Sequence, residues 1–247
     1  MIVSICNHKG GVGKTCSTVN IGAAIARHGK KVCLVDLDPQ SNLTTAVGIS
    51  EPDQTIYGAL KGGRIQPTKI TENLFVIPSD IDLSAAEMEL SAEPGREYLV
   101  KEILNQFSAD FSLVLIDCPP SLGLLTINAL TAADFILIPL QAEFLALKGL
   151  TKLSEVIDKI QRRLNPKLEI AGVFLTQYDS RKTLNRRVLE TAEAKFTGKV
   201  FKTPIRTNIA IAEAPAAGKD IFSYLPKSNG AEDYELLTKE IMEYLKL

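Results

Sequence analysis

The chain has 247 residues, 45% of them hydrophobic and 23% charged, with no low-complexity tract, so it is long enough to bury a full core as one large α/β domain. Its most apolar runs, such as FILIPL, are far too short to cross a bilayer, and the opening MIVSICNHKGG lacks the charged-then-apolar layout of a secretory signal; a cytoplasmic protein is expected. The net charge of -1 hides an asymmetry, because residues 161–227 hold 13 Lys and Arg against 6 Asp and Glu while the remainder holds 15 against 23. Such a basic stretch fits either a solvated surface or a footprint for a polyanion.

In chain order, short and nearly continuous apolar runs occur at residues 2–6, 31–36, 74–78, 112–117, 135–140 and 169–176, the composition expected of strands buried on both faces. Helical patterns at residues 17–28, 82–90, 96–107, 147–164, 184–196 and 231–244 fall between and after them, the first ended by Gly29 and the fourth by Asn165 and Pro166. Strands alternating with helices predict an α/β fold with a mostly parallel twisted sheet covered by helices on both faces, spanning residues 1–247 as one domain. Ligands bind such sheets at the carboxyl ends of the strands, so those ends are where chemistry is sought.

The first strand is followed by GGVGKT and then a helix. Gly10, Gly11, Val12 and Gly13 form a loop whose backbone can approach phosphate oxygens and turn its N–H groups inward, beside the favourable partial charge of a helix N-terminus. Lys14 then reaches the β and γ phosphates, and the Thr15 hydroxyl holds Mg²⁺. The second strand ends in VDLDPQ, which puts Asp36 and Asp38 at the same edge, and the fourth ends in LIDCPP, which puts Asp117 there as a Walker-B-type carboxylate. Pro119, Pro120 and Gly123 make the following loop a candidate switch answering to the γ-phosphate. The four cysteines, Cys6, Cys16, Cys33 and Cys118, lack C-x-x-C spacing and read as reduced thiols in or near the core.

These motifs, KGGVGKT, DLDPQ and IDCPP, together with LTQYDSR at 175–181 and NIAIAEAPAAGK at 208–219, resemble the ParA/Soj group of deviant Walker-A ATPases, which partition chromosomes, plasmids and other cargo. The resemblance runs from Ile2 to the C-terminus and implies a P-loop NTPase fold, ATP and Mg²⁺ as ligands, and an ATP-sandwich homodimer. It implies that Lys9 is the signature lysine, crossing that dimer interface to the partner's nucleotide and stabilising charge in the transition state. By the same resemblance Asp38 positions the attacking water, Asp36 supports Mg²⁺ and its switch, Asp117 is the metal aspartate of the second switch, and Arg206 and Asn208 lie on adenine and ribose. Arg181 matches an arginine that binds double-stranded DNA without sequence preference, which would associate the protein with the nucleoid. Arg186, Arg187, Lys199, Lys202 and Lys219 are further candidates for phosphate contacts. A ParB-like protein is the expected activator of hydrolysis.

The chain departs from the family pattern in places. His8 and Cys16 stand where Gln and Thr are usual, so Cys16 offers the α-phosphate a backbone N–H and no hydroxyl. Arg206 and Thr207 stand where proline and arginine are usual, and Ala210 where DNA-binding relatives often carry a second basic residue. Two other readings remain. A MinD-like membrane ATPase would end in a basic amphipathic helix, whereas the tail AEDYELLTKEIMEYLKL has five acids against two lysines, so no membrane partner is expected. A dethiobiotin-synthetase-like enzyme would use the same loop for a metabolite. The chain opens on its first strand, so an N-terminal operator-binding module is not expected.

Overall fold

In the computed structural model, which describes residues 1–143 and 146–247 except for the side chains of residues 146–149, seven strands form one sheet in the order β3-β4-β2-β5-β1-β6-β7. The strands are β1 (Ile2–Ile5), β2 (Val32–Asp36), β3 (Thr68–Lys69), β4 (Leu74–Ile77), β5 (Leu113–Asp117), β6 (Phe135–Gln141) and β7 (Glu169–Thr176). All pairings are parallel except β3 with β4. The six apolar runs are thus the six parallel strands. The two-residue β3, exposed along its length, carries no periodicity for sequence to register.

The helices are α1 (Lys14–Arg27), α2 (Asn42–Ala46), α3 (Ile56–Leu60), α4 (Ala86–Glu89), α5 (Leu99–Asn105), α6 (Leu124–Ala132), α7 (Ala146–Arg163), α8 (Thr183–Lys195), α9 (Ile209–Glu213), α10 (Ile221–Tyr224) and α11 (Asn229–Leu245). They enclose two cores, one on each face of the sheet. Val19, Ile21 and Ile25 of α1 pack there with Tyr234, Leu237 and Ile241 of α11. Leu104 of α5, Leu125 and Ala129 of α6, and Leu153 and Ile157 of α7 cover the other face. Helix α1 lies close on the sheet through Gly22, where an added Cβ would stand 2.5 Å from Leu34 Cδ2.

Two expectations need correction. The continuous helix expected over residues 82–90 is instead two 3₁₀ turns, Ile81–Ala85 and Leu90–Ala92, flanking the four-residue α4. Only Leu83, Ala86 and Leu90 of this stretch are buried, while Ile81 and Met88 face solvent, so the apolar stripe is too narrow to hold a regular helix. Conversely, α6 gave no helical signal, because LLTINALTA is buried almost all round and has no polar face to set a period. Its Asn128 is satisfied internally, accepting from Val100 N at 3.1 Å and donating to Arg96 O at 2.8 Å.

Strand register decides where the chemistry gathers. Ile5 pairs with Asp117 and Asp36 pairs with Asp117, so the ends of β1, β5 and β2 stand side by side at one edge. The loop of residues 6–13 leaves β1 at that edge.

Candidate nucleotide site

The glycine loop is shaped by two left-handed residues, Gly11 at φ 73° and Gly13 at φ 84°, a conformation that a side chain would strain. Its middle residue, Val12, is buried and pins the loop down: its carbonyl accepts from the Thr176 hydroxyl at 2.9 Å, and the Gly11 carbonyl accepts from Gln177 Nε2 at 2.9 Å. Asn7 braces the loop's start, donating to Pro139 O at 2.7 Å and accepting from Lys9 N at 3.0 Å. The loop is therefore held at its rim by the ends of β6 and β7, with Thr176 and Gln177 themselves part of the cavity wall.

Lys14 and Thr15 open α1. Lys14 is largely buried, and its ammonium donates to Lys9 O at 3.2 Å. The Thr15 hydroxyl donates to Asp117 Oδ2 at 2.6 Å. Asp117 is fully buried; burial, then the neighbouring Asp36 carboxylate, pushes its pKa up to about 8. Asp36 is also buried and raised to about 6, held back from rising further by Thr44, whose N–H and hydroxyl both donate to its Oδ2, at 2.9 and 2.7 Å. Asp38 accepts from Gln40 N at 3.0 Å and lines the cavity. Two buried carboxylates with raised pKa values, each with a threonine hydroxyl on it, form a hard oxygen-donor set, the chemistry that Mg²⁺ takes.

The cavity bounded by this loop has a volume of about 870 Å³, within the range of nucleotide-sized pockets. Gly10, Gly11, Gly13, Lys14, Thr15 and Cys16 form one wall, and Arg206, Thr207, Asn208, Ile211 and Pro215 another. A triphosphate at the first wall leaves a base and sugar against the second. Asn208 caps α9 by accepting from Ala210 N at 2.9 Å, which leaves its amide N–H donors for a ligand. Arg206 contributes backbone and stem only, since its guanidinium is bound to Asp233 at 2.6 Å and to Glu232 at 2.7 Å on α11.

A family model described as an AAA domain matches residues 1–170. The sporulation initiation inhibitor protein Soj of Bacillus subtilis is 46% identical over 247 residues, 97% of each chain. The chromosome-partitioning ATPase Soj of Treponema pallidum is 45% identical, over 96% of this chain and 94% of its own. The chain belongs to the ParA/Soj family. Its fold also matches a crystal structure of cobyrinic acid a,c-diamide synthase from Mycobacterium smegmatis with bound ADP and magnesium, with a TM-score of 0.87 and 35% identity over 99% of this chain and 95% of that one.

In this ParA/Soj chain the other expected site residues do not all meet. Lys9 lies outside the cavity lining, its ammonium on Gln141 Oε1 at 2.8 Å and Glu143 Oε2 at 2.6 Å. Arg181, Arg186 and Arg187 sit together, exposed, at and just before the start of α8. Lys199 does not join them: its ammonium donates to Ile170 O at 2.8 Å, near the far end of β7. Lys202 lies against α11, where its N–H donates to Glu240, and Lys219 follows the Gly218 turn that packs on Gly48. The single basic surface expected across residues 161–227 is thus divided, because α8 carries the chain back along an eight-residue strand, about 25 Å, before Lys199. Thr44 and Glu143 escaped the sequence reading, and Thr176 and Gln177 stood within LTQYDSR with no role assigned; their contacts across the fold reveal them.

Proposed function

We propose that this chain is an ATP-dependent DNA-partitioning ATPase whose nucleotide-bound homodimer binds double-stranded DNA without sequence preference. The observation that carries the reading is that Lys14, Thr15 and Asp38 line a nucleotide-sized cavity at the strand edge where Asp36 and Asp117 stand buried behind them. Near-full-length similarity to the chromosome-partitioning ATPase Soj of Treponema pallidum supports the DNA cargo.

The glycine loop binds the β and γ phosphates of ATP through inward N–H groups, and Lys14 neutralises their charge. Thr15, with Asp117 behind it and Asp36 beside that, would hold Mg²⁺, which when bound supplies charge neutralisation to the phosphates. Asp38 orients the attacking water at the open end of the site. Lys9 of a second copy completes the charge stabilisation, which ties hydrolysis to dimerisation. Two α8 faces on one duplex then multiply affinity, because the second contact forms at high effective concentration. A ParB-like activator, by stimulating hydrolysis, releases the protein from the nucleoid.

The test is hydrolysis and DNA binding measured with ATP, with ADP and without nucleotide. DNA retention only with ATP, on duplexes of unrelated sequence, is expected. Equal retention without nucleotide overturns the switch. Turnover of a metabolite together with ATP, with no DNA effect, would move the protein to a small-molecule P-loop enzyme.

A further inference from the structure

Lys9 is held within its own chain by a closed circuit. Its ammonium contacts Gln141 and Glu143 at the end of β6; Gln141 Nε2 donates to Glu143 Oε1 at 2.8 Å and to Gln177 Oε1 at 2.9 Å; and Gln177 Nε2 returns to Gly11 O. Gln177 takes a left-handed φ of 52°, uncommon outside glycine, and from that backbone position its amide spans between Gln141 and the loop. The circuit therefore runs along the rim of the glycine loop, touching the cavity wall at Gln177 and Gly11 and leaving it at Gln141, Glu143 and Lys9.

The geometry points to Glu143 as a latch in cis on Lys9, opposing ATP-dependent dimerisation until the latch opens. This rests on the reading that Lys9 works across a dimer interface: an ammonium bound to Glu143 and Gln141 of its own chain must leave both to reach a partner's phosphates. The Lys9 and Glu143 side chains are 31% and 53% exposed, so the pair is weak enough to exchange. The trigger is built in. Lys14 holds the Lys9 carbonyl at 3.2 Å, and a nucleotide that draws the Lys14 ammonium onto its phosphates releases the Lys9 backbone at the same moment. Nucleotide occupancy and latch opening are thereby linked through one hydrogen bond.

The experiment measures the monomer–dimer equilibrium by sedimentation velocity with ATP, in an Asp38→Ala background that prevents turnover. Glu143→Gln and Glu143→Ala are each compared with the unaltered residue, and each again in combination with Lys9→Ala. Because a dimer opens two latches, either change at Glu143 is expected to tighten the dimer roughly two- to thirty-fold, the span of two exposed ion pairs. The gain should vanish when Lys9 is Ala, and the melting temperature without nucleotide should barely move. Unchanged or weaker dimers with both Glu143 variants, while Lys9→Ala alone abolishes dimers, overturn the latch and leave the trans role of Lys9 standing. A Lys9→Ala protein that dimerises normally removes that role and the latch with it.

Discussion

Thr15 on α1 and Asp117 at the end of β5 are joined by a 2.6 Å hydrogen bond, which ties the last position of the glycine loop to the central strand of the sheet. The bond also orients a carboxylate that pays heavily for its burial. An aspartate in the unfolded chain titrates near 3.9, whereas Asp117 in the fold is raised to about 8. Between these values the folded state holds a proton that the unfolded state has lost. Stability from this group is therefore fully present below about pH 4 and falls as pH rises toward 8. Asp117→Asn is expected to stabilise the nucleotide-free protein at pH 8, by on the order of 1–2 kcal/mol, while removing Mg²⁺-dependent hydrolysis. Denaturant melts at pH 6 and pH 8 check this, and a variant that is less stable at pH 8 contradicts it. Mg²⁺ must also displace the proton, so its apparent affinity should weaken as pH falls from 8 to 6.

Lys14 and Asp38 are expected to divide binding from turnover. Lys14→Ala removes the only lysine lining the cavity among the described residues and should abolish ATP binding in calorimetry. Asp38→Ala should leave binding nearly intact and reduce single-turnover hydrolysis by about a hundredfold or more. Wild-type turnover in Asp38→Ala would assign the water to another group.

Cys16 is the one thiol of the four that is not fully enclosed, and it lines the cavity. Burial, then the Asp117 carboxylate, pushes its pKa up to about 11, so little thiolate exists at pH 7.5. Iodoacetamide should label it slowly at that pH, about tenfold faster for each unit of pH increase, and more slowly still with ATP and Mg²⁺. Cys16→Thr supplies the hydroxyl that the family pattern leads one to expect and should tighten ATP binding by about 0.5–1.5 kcal/mol. Unchanged affinity would show that the hydroxyl makes no bond here.

Arg181 is 88% exposed but not free: Asp179 binds its Nε and Nη2, each at 3.0 Å, and the guanidinium in turn holds the Asp179 carboxyl down at about 2. Asp179→Asn should therefore raise DNA affinity by releasing Arg181 and removing a negative charge beside it. Arg187→Ala should weaken binding equally on all sequences and lower the magnitude of the log-affinity against log-salt slope by roughly 0.9. Lys199→Ala, whose ammonium is occupied at Ile170 O, should change neither. A salt slope unchanged across Arg181, Arg186 and Arg187 variants would return α8 to the status of a solvated face.

Much of this protein is legible in its sequence, because the information is local. Continuous apolar runs identify the six parallel strands, and the spacing of GGVGKT, Asp36, Asp38 and Asp117 relative to those runs puts them at one edge, since side chains at strand ends inherit the geometry of the sheet. What the tertiary structure alone decided depends on contacts between distant residues. Helix α6 is apolar on every side and has no period to read until its neighbours on both sides are known. Arg206 is spoken for by Asp233, 27 positions away, and Lys9 by Glu143, 134 positions away, so the guanidinium is turned to α11 and the ammonium is held within its own chain, pairings that no local motif encodes. The basic residues of 161–227 are close in sequence yet separate in space, because a strand and the helix returning along it put the two ends of one segment at opposite edges of the sheet. Spacing along the chain sets which groups can share an edge; the partners that hold each charge in place are set only when the chain closes on itself.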